Sequence, residues 1–342
     1  MNEQSTYISE IMAQPQEFFW LPWAVQYFFF IGIASCAVLY ACWLNWQAKT
    51  SNDRLEMIAM FISITMGITG PLALTADLHQ TARVWHFYAY PTLWSWMWWG
   101  SVLLPLFTTF SGLYFIALLV KLIWKKAFKA TRWIALLSAV SAAGLLLYTG
   151  REASVLIARP IWFSWWIPVL MFLSAMQALP ALINLGTRRE PQYQQRLARF
   201  QMVTLLLLAV CFGLWLSGDT VSGVAVRHQI DVASPDWWML MGICALWAVT
   251  LIMSLTNLKA TRSITYITVL AVIAMGLTWS LRWVFLMEIQ TVPKYNIIAN
   301  PYDYPLGTDG LMAVIGTFGL WIALTIMVRE GVRWFARRVQ HG

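Results

Sequence analysis

Charge is scarce in this 342-residue chain: only 11 % of its residues are Asp, Glu, Lys or Arg, while 60 % are apolar. A soluble domain carries about a quarter charged residues. The shortage excludes an ordinary soluble enzyme and places most of the chain against lipid or other helices. Cysteine is scarce too. Cys36, Cys42, Cys211 and Cys244 all lie in apolar runs, and none forms a C-x-x-C pair, so they read as small buried hydrophobes rather than metal ligands. Histidine is the third shortage. His79, His86 and His228 lie in loops or at span ends, and His341 is in the tail. A membrane cytochrome b needs axial ligands, usually His pairs on facing helices, and no apolar run here carries one at mid-depth. Heme, metal and nucleotide are therefore not expected on this chain, and any redox work must use a diffusible carrier. The first 17 residues contain Glu3, Glu10 and Glu17 but no Lys or Arg. They do not read as a secretory signal, which starts basic; the first apolar span is expected to direct its own insertion.

Long apolar runs are abundant. A span needs about 20 mostly apolar residues. Runs at 19–46, 56–78, 94–122, 133–150, 163–186, 199–217, 237–257, 264–287 and 310–333 predict an all-α polytopic membrane protein of nine transmembrane helices in a single membrane domain. Connections are short except for 288–309, which is rich in Pro and Tyr and is expected to be an ordered cap. No clear repeat and no soluble domain are visible.

The net charge of +8 raises the question of nucleic acid, which the distribution of basic residues answers. Of 23 Lys and Arg, Arg282 lies inside a span, and Arg83, Arg151, Arg159, Arg227 and Lys294 lie in one set of alternating loops; the other 17 fall in the opposite set. Cytoplasmic loops carry the excess of Lys and Arg. The C-terminus is thus expected in the cytoplasm and the N-terminus in the periplasm, and nucleic acid drops out. Eleven of the 15 acids fall on or near the outer side, which suggests a docking surface or a proton path there.

Polar groups inside lipid are costly and usually functional. Three lie at similar depth near the outer side: Gln26 in the first span, Asp77 at the end of the second, and Tyr148 at the end of the fourth, followed by Arg151 and Glu152. Each also has a plainer reading: a helix–helix hydrogen bond for Gln26, a pair with Arg83 or a helix cap for Asp77, and an interface aromatic for Tyr148. Taken together they suit a quinone headgroup, which needs hydrogen bonds to two oxygens, aromatic walls and a nearby proton acceptor. Gln26 and Tyr148 would hold the oxygens. Trp20, Trp23 and Tyr27 would wall the ring. Asp77, His79 and Glu152 would take protons outward. Arg83, Arg151, Asp219 and Arg282 are candidate supporting charges, with Arg282 expected to snorkel or to pair with an acid such as Glu288 or Asp219.

The run GPLALTADLHQTARVWHFYAYPTLWSWMWWG, with Asp77, Arg83, Ser95 and Met97, resembles the polysulfide-reductase-type (NrfD-like) family of membrane subunits. EFFWLPWAVQYFFFIGIAS and LLLYTGREASVLIARPIWFS match as well. A finer resemblance, to the tetrathionate-reducing branch, rests on YTGREASVLIARPIWFS, WLSGDTVSG and NPYDYPLGTDG. It covers nearly the whole chain. The resemblance implies a subunit of the bacterial inner membrane that oxidises quinol, with menaquinol the expected carrier. Electrons would pass to an iron–sulfur subunit and then to a molybdopterin catalytic subunit on the periplasmic face. It also implies a quinol site at Gln26 and Tyr148. Relatives carry His where Gln26 stands, and Gln cannot take a proton, so the acceptor is expected to be Asp77 or His79. The loops at 151–162 and 288–309 are the candidate docking surface. Two rivals are a transporter or proton pore, with a polar path and repeats, and a purely structural anchor.

Overall fold

The computed structural model describes residues 18–47, 49, 52–78, 80–126, 128–187, 190–231, 237–259, 261–292 and 302–341. Among them every regular element is helical, and nine helices are long and apolar enough to cross a membrane. We label the helices α1 (Pro22–Trp46), α2 (Asp53–Asp77), α3 (Trp96–Trp124), α4 (Thr131–Ser154), α5 (Trp166–Thr187), α6 (Pro191–Ser217), the short α7 (Val221–Asp231), α8 (Trp237–Lys259), α9 (Ile264–Trp283) and α10 (Leu311–His341). Helix α9 runs on through a π-helical turn, Val284–Glu288, to Thr291.

The boundaries follow local chemistry. Pro22 occupies the first turn of α1, where its missing N–H costs nothing, so the helix starts later than the apolar run at 19. Lys125 takes a left-handed conformation (φ 53°) and stops α3. Helix α4 extends one turn past the expected end at 150, carrying Arg151 and Glu152 within the helix. Helix α10 continues through its charged end, because Arg and Glu are good helix formers once the chain leaves lipid. Helix α7 has no counterpart among the apolar runs; its apolar residues are too few for a span.

The helices pack as two rings of four. In the first, α1 contacts α2, α2 contacts α3, α3 contacts α4, and α4 returns to α1. In the second, α5, α6, α8 and α9 follow the same cyclic order. Helix α1 lies at the junction and also packs on α5 and α9, so its side chains from Ala24 to Leu44 are almost all buried. At the α1–α2 contact a Cβ on Gly70 would stand 2.6 Å from Ile31 Cγ1, so close approach there requires glycine. Helices α8 and α10 leave most of their apolar surface outward, as lipid-facing helices do. The repeat absent from the sequence is therefore present in the packing. A ring needs only apolar faces of suitable volume, which unrelated side chains supply equally well.

Candidate functional site

The entry to α1 is held by three elements. Asp77 Oδ1, at the end of α2, accepts from the Leu21 N–H at 3.3 Å. A carboxylate there satisfies an orphan donor and sits at the positive end of the helix dipole. The helix whose entry Asp77 meets is α1, not the helix that follows it in the chain. Gln290 clamps the preceding residues: its Oε1 accepts from the amides of Phe19 (3.0 Å) and Trp20 (3.3 Å), and its Nε2 donates to Trp20 O at 3.2 Å and Leu286 O at 2.8 Å. Arg159 donates to the carbonyls of Ile289 (2.6 Å), Val292 (3.1 Å) and Gln290 (3.3 Å), tying the 151–162 loop to the end of α9.

At the same end Tyr27 of α1 meets Tyr148 and Glu152 of α4, and Gln26 precedes Tyr27 on α1. Gln26 and Tyr27 are fully buried on α1, and Tyr148 is 4 % exposed on α4. Tyr148 stands between Tyr27 and Glu152, interacting with both, and Glu152 in turn feels the charge of Asp77. Gly100 on α3 makes the room: a Cβ there would lie 2.1 Å from Tyr148 Cζ and 2.5 Å from its hydroxyl oxygen. Neither polar atom of the Gln26 amide has a hydrogen-bond partner among the described residues. The Tyr27 hydroxyl, though within reach of Tyr148, makes no well-aligned bond. A buried unsatisfied polar group costs about 1–3 kcal/mol, so two side by side mark a place built to meet something polar. Trp23, half-buried, lies three and four residues before Gln26 and Tyr27 and shares their helix face. Trp20 turns to Phe28 and Trp162, with ring centroids 5.9 and 5.0 Å away.

The supporting charges divide. Arg151 lies over the Trp165 ring, 3.7 Å from its centroid, and donates to Ser154 Oγ at 3.1 Å, beside the cluster. Arg83 is exposed in a short turn, Thr81–Arg83. Asp219 is fully exposed and pairs with Arg227 at 3.6 Å. Arg282 corrects the expectation of a snorkelling or acid-paired arginine. It is 1 % exposed and donates to Ser174 Oγ at 2.6 Å and to the carbonyls of Met171 (2.5 Å) and Phe28 (3.5 Å). It pins the α1–α5–α9 junction because the narrow gap beside Gly32 admits its head. His79 lies outside the described residues. Among those described, no group of three His, Cys, Asp or Glu has metal-binding geometry.

Two features escaped sequence reasoning. Sequence reading gives Gln290 no role of its own, and its clamp is visible only in three dimensions. Glu56, read as the start of the second span, lies within α2 because that helix begins at Asp53. It is 2 % exposed and accepts from Tyr114 Oη at 2.5 Å and Asn45 Nδ2 at 2.8 Å. Glu56 thus puts a buried carboxyl group at the end of α2 opposite Asp77.

Residues 10–294, from before α1 to the end of α9, match the family described as Polysulphide reductase, NrfD. The chain belongs to the NrfD family. The match spans both rings and stops short of α10. The chain is also similar to one of the subunits of tetrathionate reductase from Salmonella typhimurium, with 52 % identity over 338 residues covering 99 % of each chain. Nine apolar helices and NrfD membership together make it a multi-pass membrane protein.

Proposed function

We propose that this chain is the quinol-oxidising membrane subunit of a tetrathionate reductase, with its quinol site inside the first ring at the Asp77 end. The reading is carried by the Tyr27 hydroxyl, which makes no well-aligned bond, beside the Tyr148–Glu152–Asp77 series, with the unsatisfied Gln26 amide one residue earlier on α1. The near-complete match to the Salmonella tetrathionate reductase subunit supplies the complex. Gln26 and Tyr148 bond the two quinol oxygens, and Trp23 and Tyr27 wall the ring. Oxidation of one quinol to quinone releases two electrons and two protons. The electrons leave to the iron–sulfur subunit and then to a molybdopterin subunit. The protons pass to Glu152 and Asp77, with His79 the next acceptor along the chain. No mid-membrane heme ligands are needed, because the carrier diffuses in lipid and menaquinol fits as well as any.

The Lys and Arg asymmetry, 17 against five of the 23, orients the Asp77 end to the periplasm of a bacterial inner membrane. That side carries the 151–162 loop, bonded to the end of α9 through Arg159, as the docking surface. The test is quinol-dependent reduction of the iron–sulfur subunit in the reconstituted complex. Tyr148→Phe and Asp77→Asn should each slow it strongly while assembly is retained. Full rates in both variants of an intact complex would reject the site, and a structural anchor would then be the better account.

A further inference from the structure

The second ring carries a half-open cavity of about 350 Å³ at the same end as the first ring's site, lined by α5, α6, α8 and α9 and by α7. Pockets of roughly 300–1,000 Å³ hold drug-sized ligands. Its lining is almost wholly apolar, the charged exception being Glu288 and the main uncharged polar one Gln229.

The two rings correspond helix for helix, and so do their acids. In the first ring, Glu152 near the end of the fourth helix interacts with an aromatic donor, Tyr148, one α-turn earlier. In the second, Glu288 near the end of the fourth helix accepts from Trp283 Nε1 at 2.8 Å, five residues earlier, across a π-helical turn. That turn is what brings a five-residue spacing onto one face, and such turns gather at functional sites. We propose that this cavity binds a second prenylated quinol, its headgroup at Glu288 and Gln229 and its tail in the apolar space; the ligand class rests on the quinol reading above. The charge selects the occupant. A carboxylate repels the phosphate of a phospholipid but accepts a hydrogen bond from a neutral quinol hydroxyl, and it has acceptor sites for more than one donor. The site is one of binding only, and it holds quinol beside the ring that oxidises it.

Two residues make the test direct. Cys244 is exposed and lies on the cavity wall. Gly213 also lines the cavity, and a Cβ there meets nothing within 4 Å, so Gly213→Phe starts from open space on the cavity wall. The assembled complex is placed in anaerobic phospholipid nanodiscs with or without a short-tailed menaquinol that was reduced beforehand and freed of reductant. Alkylation of Cys244 by N-ethylmaleimide is followed by peptide mass. The quinol should slow it several-fold in the wild type and leave it unchanged in Gly213→Phe. Equal alkylation with and without quinol in the wild type overturns the second site. Protection already complete in quinol-free lipid also overturns it, since phospholipid is then the occupant. Either result leaves the first-ring reading intact if Tyr148→Phe still abolishes turnover. Conversely, protection of Cys244 alongside full turnover in Tyr148→Phe removes only the first.

Discussion

Gly100→Ala adds one methyl group, and the geometry states what it meets. The new Cβ would stand 2.1 Å from Tyr148 Cζ and 2.5 Å from the phenol oxygen, far inside van der Waals contact. Tyr148 is 4 % exposed and has little free space to retreat into. Either the phenol swings away from Tyr27 and Glu152, or α3 moves off α4. Overpacking of this kind costs about 1–3 kcal/mol, which a bundle of nine spans tolerates. A displacement of about 1 Å at a reacting group costs on the order of 10²-fold in rate. We therefore expect Gly100→Ala to assemble at near-normal levels, to melt slightly lower, and to lose about two orders of magnitude in quinol oxidation. The assay is quinol:tetrathionate turnover in membranes, normalised to assembled complex on native gels. Gly100→Ala in a Tyr148→Phe background should add little, because both changes act through one hydroxyl. Undiminished turnover in Gly100→Ala refutes the placement of Tyr148, and so does a fully additive double variant.

Other outcomes follow from the same contacts. Tyr114→Phe removes a donor from buried Glu56, and the variant should lose about 1–3 kcal/mol of stability, read as a lower melting temperature in detergent. Gln290→Leu deletes the clamp on Phe19 and Trp20; limited proteolysis ahead of α1 should then accelerate while the spans stay protected. Arg282→Met should destabilise the junction by leaving Ser174 and the Met171 carbonyl without their donor, seen as reduced yield of folded protein. Asp219→Asn touches only a solvent-screened pair with Arg227, in which Asp219 is fully exposed, and should change neither turnover nor melting.

Much of this architecture was legible in the chain because lipid imposes a simple code. Every one of the nine apolar runs became a helix, since backbone groups in lipid must be satisfied within the segment. The depth of Asp77 and Tyr148 along their spans agrees with the interaction of both with Glu152, since antiparallel neighbours align by length. What the chain hid depends on rotation about the helix axis. Arg282 looked like a snorkelling residue from its distance to the span end, yet its side chain turns inward beside Gly32. Glu56 looked like a boundary residue until Asp53 and Lys121 formed an ion pair (2.8 Å) beyond it, leaving it within the buried part of α2. Gly100 carries no chemistry of its own, so its role as the space for Tyr148 had no signal in sequence. The paired rings were hidden as well, because the order of packing repeats and the residues do not.

The central claim is that quinol is bound and oxidised within the first ring. Photolabelling the assembled complex with an azido-quinone, followed by peptide mapping, addresses it directly. The account predicts adducts on the α1 segment bearing Trp23, Gln26 and Tyr27 and on the α4 segment bearing Tyr148, both lost when an excess of menaquinol competes. Adducts confined to α6 and α8, with none on α1 or α4, would contradict it.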